Sequence, residues 1–149
     1  MNEPIVVTQT VNAPASTVWQ ALTDKALMKQ WYFDIDKFKA EEGFVFSFEG
    51  GTETTQYTHL CTITEVVPNQ KLSYTWRYVG YEGDTLVTFL LQALTPGQTE
   101  VTLTHSGLES FGNSNPDFAK SNFEEGWNHI IKVALKDFAE QQAAQPATN

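Results

Sequence analysis

Apolar and polar residues alternate through most of the first two thirds of the chain, which is the pattern of β-strands with one buried face. Trp76 and Tyr78, for example, stand on either side of Arg77. Glycine, proline and asparagine residues separate these stretches, as in an antiparallel meander. The pattern predicts six to seven strands, of which the second is the weakest: residues 5–11, 36–39, 44–49, 57–66, 72–78, 85–94 and 101–105.

Apolar residues recur at spacings of three and four in three other stretches, which indicates amphipathic helices. Two are short: residues 15–22, and a second helix that Thr23-Asp24 caps and in which Leu27, Met28 and Trp31 share a face. The third runs from Asn115 to about Gln142 and begins with Asn-Pro-Asp, a combination that suits a helix start. Residues 106–114 between the last strand and this helix are expected to form a loop.

Only the terminal helix is long enough to cover one face of an antiparallel sheet. We therefore predict an α+β fold in which a curved antiparallel sheet wraps around the C-terminal helix, with two short helices after the first strand. A length of 149 residues fits a single domain, 1–149, and the small polar tail at 143–149 is expected to fray.

The chain carries 18 acidic and 9 basic residues, for a net charge of −9. Nucleic acids and anionic membrane surfaces are bound by clustered lysine and arginine, so neither is an expected partner. The acidity is interpreted as a source of solubility.

The sequence has no apolar run of about 18 residues and no basic segment followed by an apolar core at its start. Its single cysteine, Cys61, cannot form an internal disulfide. These features predict a cytoplasmic location.

The titratable residues do not form a recognisable catalytic or metal-binding motif. His59, His105 and His129 are far apart in the sequence, so no metal and no cofactor are expected. His59 and Cys61 share a strand face but stand roughly 6–7 Å apart, which favours a buried, inert thiol. His105 is either a core histidine satisfied by a hydroxyl or carbonyl group, or a polar anchor in an apolar cavity.

Large aromatic residues are the strongest collective signal, because several of these side chains are wider than a simple two-layer core needs. We predict that they line an apolar pocket between the sheet and the terminal helix, where Gly126 makes room for a sheet residue or a ligand. The candidate ligand-binding residues are Trp31, Phe33, Phe46, Phe48, Tyr57, Trp76, Tyr78, Phe89, His105, Phe123, Trp127 and Ile130.

Several sequence stretches resemble the helix-grip (START-like, SRPBCC) superfamily. Within it, the chain is most similar to the group of the C-terminal domain of the activator of the ninety-kilodalton heat-shock protein ATPase. The resemblance covers residues 5 to 140. It is carried by residues 12–24, by Trp31, by residues 65–68 with 72–76, and by residues 101–107 with Gly126 and Trp127.

The resemblance implies the helix-grip fold and an internal cavity, which Cys61 should narrow where many relatives carry glycine. Family roles range from lipid carriage to polyketide cyclisation and chaperone stimulation, so the fold alone does not select one.

The leading hypothesis from the sequence is a binding protein for a small apolar or aromatic molecule. A chaperone co-factor that acts through its outer surface is the second hypothesis, with the chaperone as partner. A cyclase- or hydrolase-like enzyme using His105 or Tyr78 as acid or base is the third. Without a recognisable catalytic set, an enzyme is the least favoured of these.

Overall fold

Six antiparallel strands form one sheet in the computed structural model, which describes residues 3–35, 37–51, 55–112 and 115–144. Each strand is antiparallel to its neighbours, and the order across the sheet is β1-β6-β5-β4-β3-β2. The first strand therefore lies beside the last one. The strands are β1 Ile5–Val11, β2 Val45–Gly51, β3 Gln56–Val67, β4 Lys71–Tyr78, β5 Thr85–Thr95 and β6 Gln98–Ser106.

The predicted strand at 36–39 is wrong over residues 37–39, which are irregular, and Asp36 lies outside the described residues. Side chains rather than a strand partner hold this segment. Ile35 is fully buried, and the ring of Phe38 packs edge-on against Phe46 with centroids 5.0 Å apart. The apolar and polar residues alternate in this short stretch because Ile35 and Phe38 are packed against the protein, not because the backbone is extended.

Two short helices follow β1, as the sequence predicts: α1 Ala15–Thr23 and α2 Lys25–Trp31. The predicted cap between them is confirmed, since Asp24 Oδ1 accepts hydrogen bonds from the backbone N–H groups of Ala26 at 2.9 Å and Leu27 at 3.3 Å.

The terminal helix begins later than predicted. Pro116–Phe118 forms a separate 3-10 turn, which Asn115 caps by accepting a hydrogen bond from the Asp117 N–H at 2.9 Å. Ala119 is extended and breaks the chain direction before α3, Lys120–His129. The Phe118 ring stacks on Tyr78 with centroids 4.5 Å apart, so the turn is held against the sheet instead of continuing into the helix.

Beyond α3 the helix continues through a π-helical segment, Ile130–Leu135, into α4, Lys136–Ala144. Its buried side chains remain on one side despite the wider turn: Trp127, Ile131, Leu135, Phe138 and Ala139. Residues 143 and 144 are helical, and 145–149 lie outside the described residues.

The predicted loop at 106–114 contains a short 3-10 helix, Leu108–Phe111. Phe111 is buried, and its ring stacks on Phe123 of α3 with centroids 5.7 Å apart. Residues 113 and 114 of the predicted loop lie outside the described residues.

A buried chain of hydrogen bonds joins the helix to the sheet. The Trp127 Nε1–H donates to His105 Nδ1 at 2.9 Å. Because Nδ1 accepts, the neutral ring carries its hydrogen on Nε2, which donates to Thr85 Oγ1 at 2.8 Å. The Thr85 hydroxyl in turn donates to the Trp76 carbonyl at 2.6 Å. Of the two interpretations of His105, the geometry shows a core histidine satisfied by a neighbouring hydroxyl and by an indole.

Both buried histidines are held in the neutral form. Burial lowers the pKa of His105 to about 3 and that of His59 to about 4. In the unfolded chain a histidine accepts its proton near pH 6.5. The folded state therefore binds fewer protons than the unfolded state below that pH.

Thr85→Val should lower the free energy of unfolding by about 1–3 kcal/mol, because the His105 Nε2–H and the Trp76 carbonyl lose a buried partner. Thr104→Val on the outer face of the neighbouring strand is the matched control and should change stability by less than about 0.5 kcal/mol. Urea unfolding at pH 7 measures both. Equal unfolding midpoints for the two variants would contradict the role given to the network.

Lowering the pH from 7 to 5 should destabilise the protein by about 2 kcal/mol for each buried histidine. The sign follows from the depressed pKa values: this stability is complete above pH 6.5 and is lost as the pH falls toward the folded-state values. His59→Phe should remove about half of the loss. Urea unfolding across this pH range makes the measurement, and a flat stability profile in the wild type would contradict it.

Candidate functional site

The predicted pocket residues form a continuous cluster of rings around Trp127. Its indole contacts Trp76 at a centroid distance of 5.4 Å, His105 at 5.9 Å and Phe89 at 6.1 Å. Phe48 extends the cluster toward the sheet edge, 5.6 Å from Trp76. These are contact distances for aromatic pairs, so side chains occupy the space directly beneath Trp127.

The polar ends of the interior rings are also paired within the protein. Trp31 Nε1 donates to the Ala21 carbonyl at 2.8 Å, and Trp76 Nε1 donates to the Tyr78 hydroxyl at 2.9 Å. Tyr32 and Tyr74, which were not among the predicted residues, join their hydroxyl groups at 2.8 Å. Most of the predicted set therefore builds a packed interior, and its part in binding a ligand stays a prediction.

Gly126 does not make room for a sheet residue or for a ligand. It lies on the exposed side of α3, and an added Cβ would meet no atom within 4 Å. Ile130, also predicted to line the pocket, is half-buried at the start of the π-helical segment.

Cys61 is fully buried on β3, directly opposite Phe46 of the paired strand β2. Burial raises the pKa of its thiol. The thiol therefore stays protonated, which makes it a poor nucleophile.

An open depression lies at the end of the sheet where β2, β3 and β4 meet the start of α3. We call it the open-end pocket. It has a volume of about 370 Å³. It is lined by Gly50, Tyr57, His59, Tyr78, Asp117, Phe118, Asn122 and Phe123.

Tyr57 and Asp117 form the polar side of the open-end pocket. The Tyr57 hydroxyl donates to Asp117 Oδ2 at 2.6 Å and accepts from Asn115 Nδ2 at 3.2 Å. The hydrogen bond to the carboxylate raises the pKa of Tyr57, because losing the proton would place two negative charges together. The contact fixes the 3-10 turn over β3.

His59 forms the floor beside Gly50. Its Nδ1 lies 3.2 Å from the Tyr57 carbonyl, which can only accept, so Nδ1 carries the hydrogen and Nε2 is the acceptor nitrogen. The ring stacks on Phe48 with centroids 4.5 Å apart. A Cβ on Gly50 would lie 3.1 Å from His59 Cε1 and 3.2 Å from Phe33 Cε1, so glycine allows the hairpin to approach both rings.

Tyr78 gives the open-end pocket a hydrogen-bond donor. Its oxygen accepts the Trp76 indole N–H. Its own hydrogen has no acceptor among the described residues. Burial raises the pKa of Tyr78, so the hydroxyl stays protonated.

The structure brings three predicted residues to this pocket, Tyr57, Tyr78 and Phe123. The sequence prediction did not include the remaining lining residues: Gly50, His59, Asp117, Phe118 and Asn122. The Asn-Pro-Asp motif, which predicts a helix start, contributes Asp117 to the lining of this pocket.

A second depression of about 290 Å³ adjoins the first, on the other side of Phe118. It is lined by Gly80, Tyr81, Glu82, Phe111, Asn115 and Phe118. Within the described ranges, no group of three or more His, Cys, Asp or Glu side chains is arranged to hold a metal ion. No helix formed by the described residues is long and apolar enough to cross a membrane.

Solved structures with the same fold cover nearly all of the chain. Protein MLL2253 from Mesorhizobium loti is 26% identical, with a TM-score of 0.74 over 93% of this chain and 97% of that one. CV1439 from Chromobacterium violaceum is 21% identical, with a TM-score of 0.77 over 93% and 97%. CalU16 from Micromonospora echinospora is 22% identical, with a TM-score of 0.69 over 93% and 77%. These similarities confirm the predicted helix-grip architecture.

No curated protein matches the chain. The family model described as activator of Hsp90 ATPase homolog 1-like protein matches residues 12–140, most of the sequence. With the fold in agreement, the chain belongs to the family of activator of Hsp90 ATPase homolog 1-like proteins within the helix-grip superfamily.

Proposed function

We propose that the protein binds a small apolar or aromatic molecule in the open-end pocket. One observation carries the proposal: the rings of Tyr57, Tyr78, Phe118 and Phe123 surround a space of about 370 Å³ that also holds a few polar groups. Ligand sites typically combine apolar walls with a small number of hydrogen-bonding groups in a volume of about 300–1,000 Å³.

The packing of the interior supports this position over the one beneath Trp127. A ligand there would have to separate Trp127 from Trp76 and His105 and break the indole hydrogen bond. In the open-end pocket, no acceptor among the described residues takes the Tyr78 hydroxyl hydrogen, so a ligand can bind it without breaking a hydrogen bond. The interior rings also hold the pocket wall in place, because the Trp76 Nε1–H donates a hydrogen bond to the Tyr78 hydroxyl.

A chaperone co-factor is the second candidate, and two observations favour it. The family description names an activator of the Hsp90 ATPase. In addition, Leu86, Leu90 and Leu94, which occur at every fourth position of β5, are at least 37% exposed. Exposed apolar side chains of this kind can form part of a protein interface. Failure to retain purified chaperone in a pull-down, or to stimulate its ATPase, would remove this candidate.

The enzymatic alternative lacks one of its two proposed groups, because both His105 nitrogens are bonded to Trp127 and Thr85. Tyr78 remains in the pocket as a protonated hydroxyl. That the protein catalyses a cyclase- or hydrolase-like reaction remains an untested hypothesis. Its cytoplasmic location also remains a prediction.

A library of lipids, polyketides and aromatic acids and alcohols should contain compounds that raise the melting temperature. At a concentration one hundred times the dissociation constant, binding adds about 2.7 kcal/mol, or about 5–10 °C for a chain of this size. Asn122→Trp should abolish the shift, because the indole would fill the pocket mouth. Differential scanning fluorimetry measures each shift.

Asn128→Trp is the matched control. Asn122 and Asn128 are both exposed on α3, and each donates its side-chain amide to a backbone carbonyl, but only Asn122 lines the pocket. The control variant should keep the full shift. No shift with any compound in the wild type, or equal loss in both variants, would contradict the proposal.

A further inference from the structure

The open-end pocket contains a carboxylate, that of Asp117, which forms no ion pair with any described residue. Among the described residues the ion pairs are Lys29–Asp34, Lys71–Glu65 and Lys136–Glu140, and none of them includes Asp117. No lysine or arginine lines the pocket. Asp117 Oδ2 accepts the Tyr57 hydroxyl, whereas Oδ1 accepts no hydrogen bond from the described residues. A half-buried carboxylate oxygen is thus available to a ligand.

Aromatic rings line the same pocket as this carboxylate. Phe118 lies 5.1 Å from Tyr57 and 4.5 Å from Tyr78 between ring centroids, and Phe123 closes another wall. Aromatic faces carry partial negative charge and attract ammonium groups that lie within about 6 Å. The carboxylate and the rings therefore favour the same kind of ligand.

The start of α3 is a nearby feature that could favour an anion instead. Its partial charge is about half an elementary charge, against the full charge of Asp117. The two α3 residues that line the pocket also have no free N–H to offer. The backbone N–H groups of Asn122 and Phe123 both point to the Ala119 carbonyl, at 3.0 and 3.4 Å. These two residues therefore offer an anion no free backbone donor in the pocket.

The adjoining depression repeats this chemistry. It pairs the carboxylate of Glu82 with the rings of Tyr81, Phe111 and Phe118, and again no lysine or arginine lines it. The net charge of −9 adds a long-range attraction for cations.

We infer that the ligand of the open-end pocket is an organic cation, an alkyl- or arylalkyl-ammonium compound, whose charged group sits between Asp117 and the aromatic walls. This inference rests on the proposed function and narrows its ligand class. The apolar part of the ligand would contact Phe118 and Phe123, and the Tyr78 hydroxyl would serve an additional acceptor on the ligand.

Three soluble probes of similar shape test the inference: phenethylamine, which is cationic at pH 7, neutral phenethyl alcohol and anionic 3-phenylpropionate. Calorimetric or NMR titration at low salt should give a dissociation constant about tenfold lower for the amine than for the alcohol, with the anion weakest. Added salt should weaken binding of the amine more than binding of the alcohol.

Asp117→Asn removes the charge but keeps an acceptor for the Tyr57 hydroxyl, so the fold should persist, as near-UV circular dichroism would verify. It should weaken amine binding about tenfold and alcohol binding by a much smaller factor. Glu124→Gln changes the net charge equally at an exposed α3 position outside the pocket and should alter neither.

Equal binding of amine and alcohol, preference for the anion, or equal effects of the two substitutions would overturn the inference while leaving the proposed function intact. If no probe of any charge binds, and the wider compound library gives no thermal shift, the proposed function fails together with the inference.

Discussion

The burial of Trp127 against the sheet is the constraint on which the rest of the interior depends. An indole in an apolar interior needs an acceptor for its N–H, and His105 supplies one only if its ring stays neutral with its hydrogen on Nε2. That tautomer requires Thr85 as the next acceptor, and the Thr85 hydroxyl is satisfied by the Trp76 carbonyl. One hydrogen-bonding requirement thus fixes the position of α3 relative to β4, β5 and β6.

This arrangement divides the molecule into a closed interior and an open end. Beneath Trp127, aromatic rings contact one another and their polar atoms are paired. At the open end, the 3-10 turn and the first turn of α3 stop short of filling the space above Tyr57 and Tyr78. A small molecule can enter there without breaking the network that holds the helix. The family relationship agrees with this architecture but does not select a ligand.

Local patterns were sufficient to predict most of the elements. Alternation predicted the strands, and the Asp24 cap and helical spacing predicted α1 and α2, because both signals arise within a few residues. The residues 37–39 were misassigned because a few alternating positions also occur in an irregular segment anchored by Phe38. The break at Ala119 was missed because it depends on Phe118 stacking on Tyr78, about forty residues away. The position of the open-end pocket depends on the same contact, and three of its lining residues are among those that the sequence predicts to bind a ligand.

The location of binding is tested most directly by a ¹H–¹⁵N NMR titration with phenethyl alcohol, because the spectrum reports on the two regions separately. We expect the backbone amide signals of Gly50, Asp117 and Asn122 to shift with increasing ligand, while the indole N–H of Trp127 stays hydrogen-bonded to His105. A titration in which the Trp127 indole signal shifts most, with the open-end amides unchanged, would contradict it.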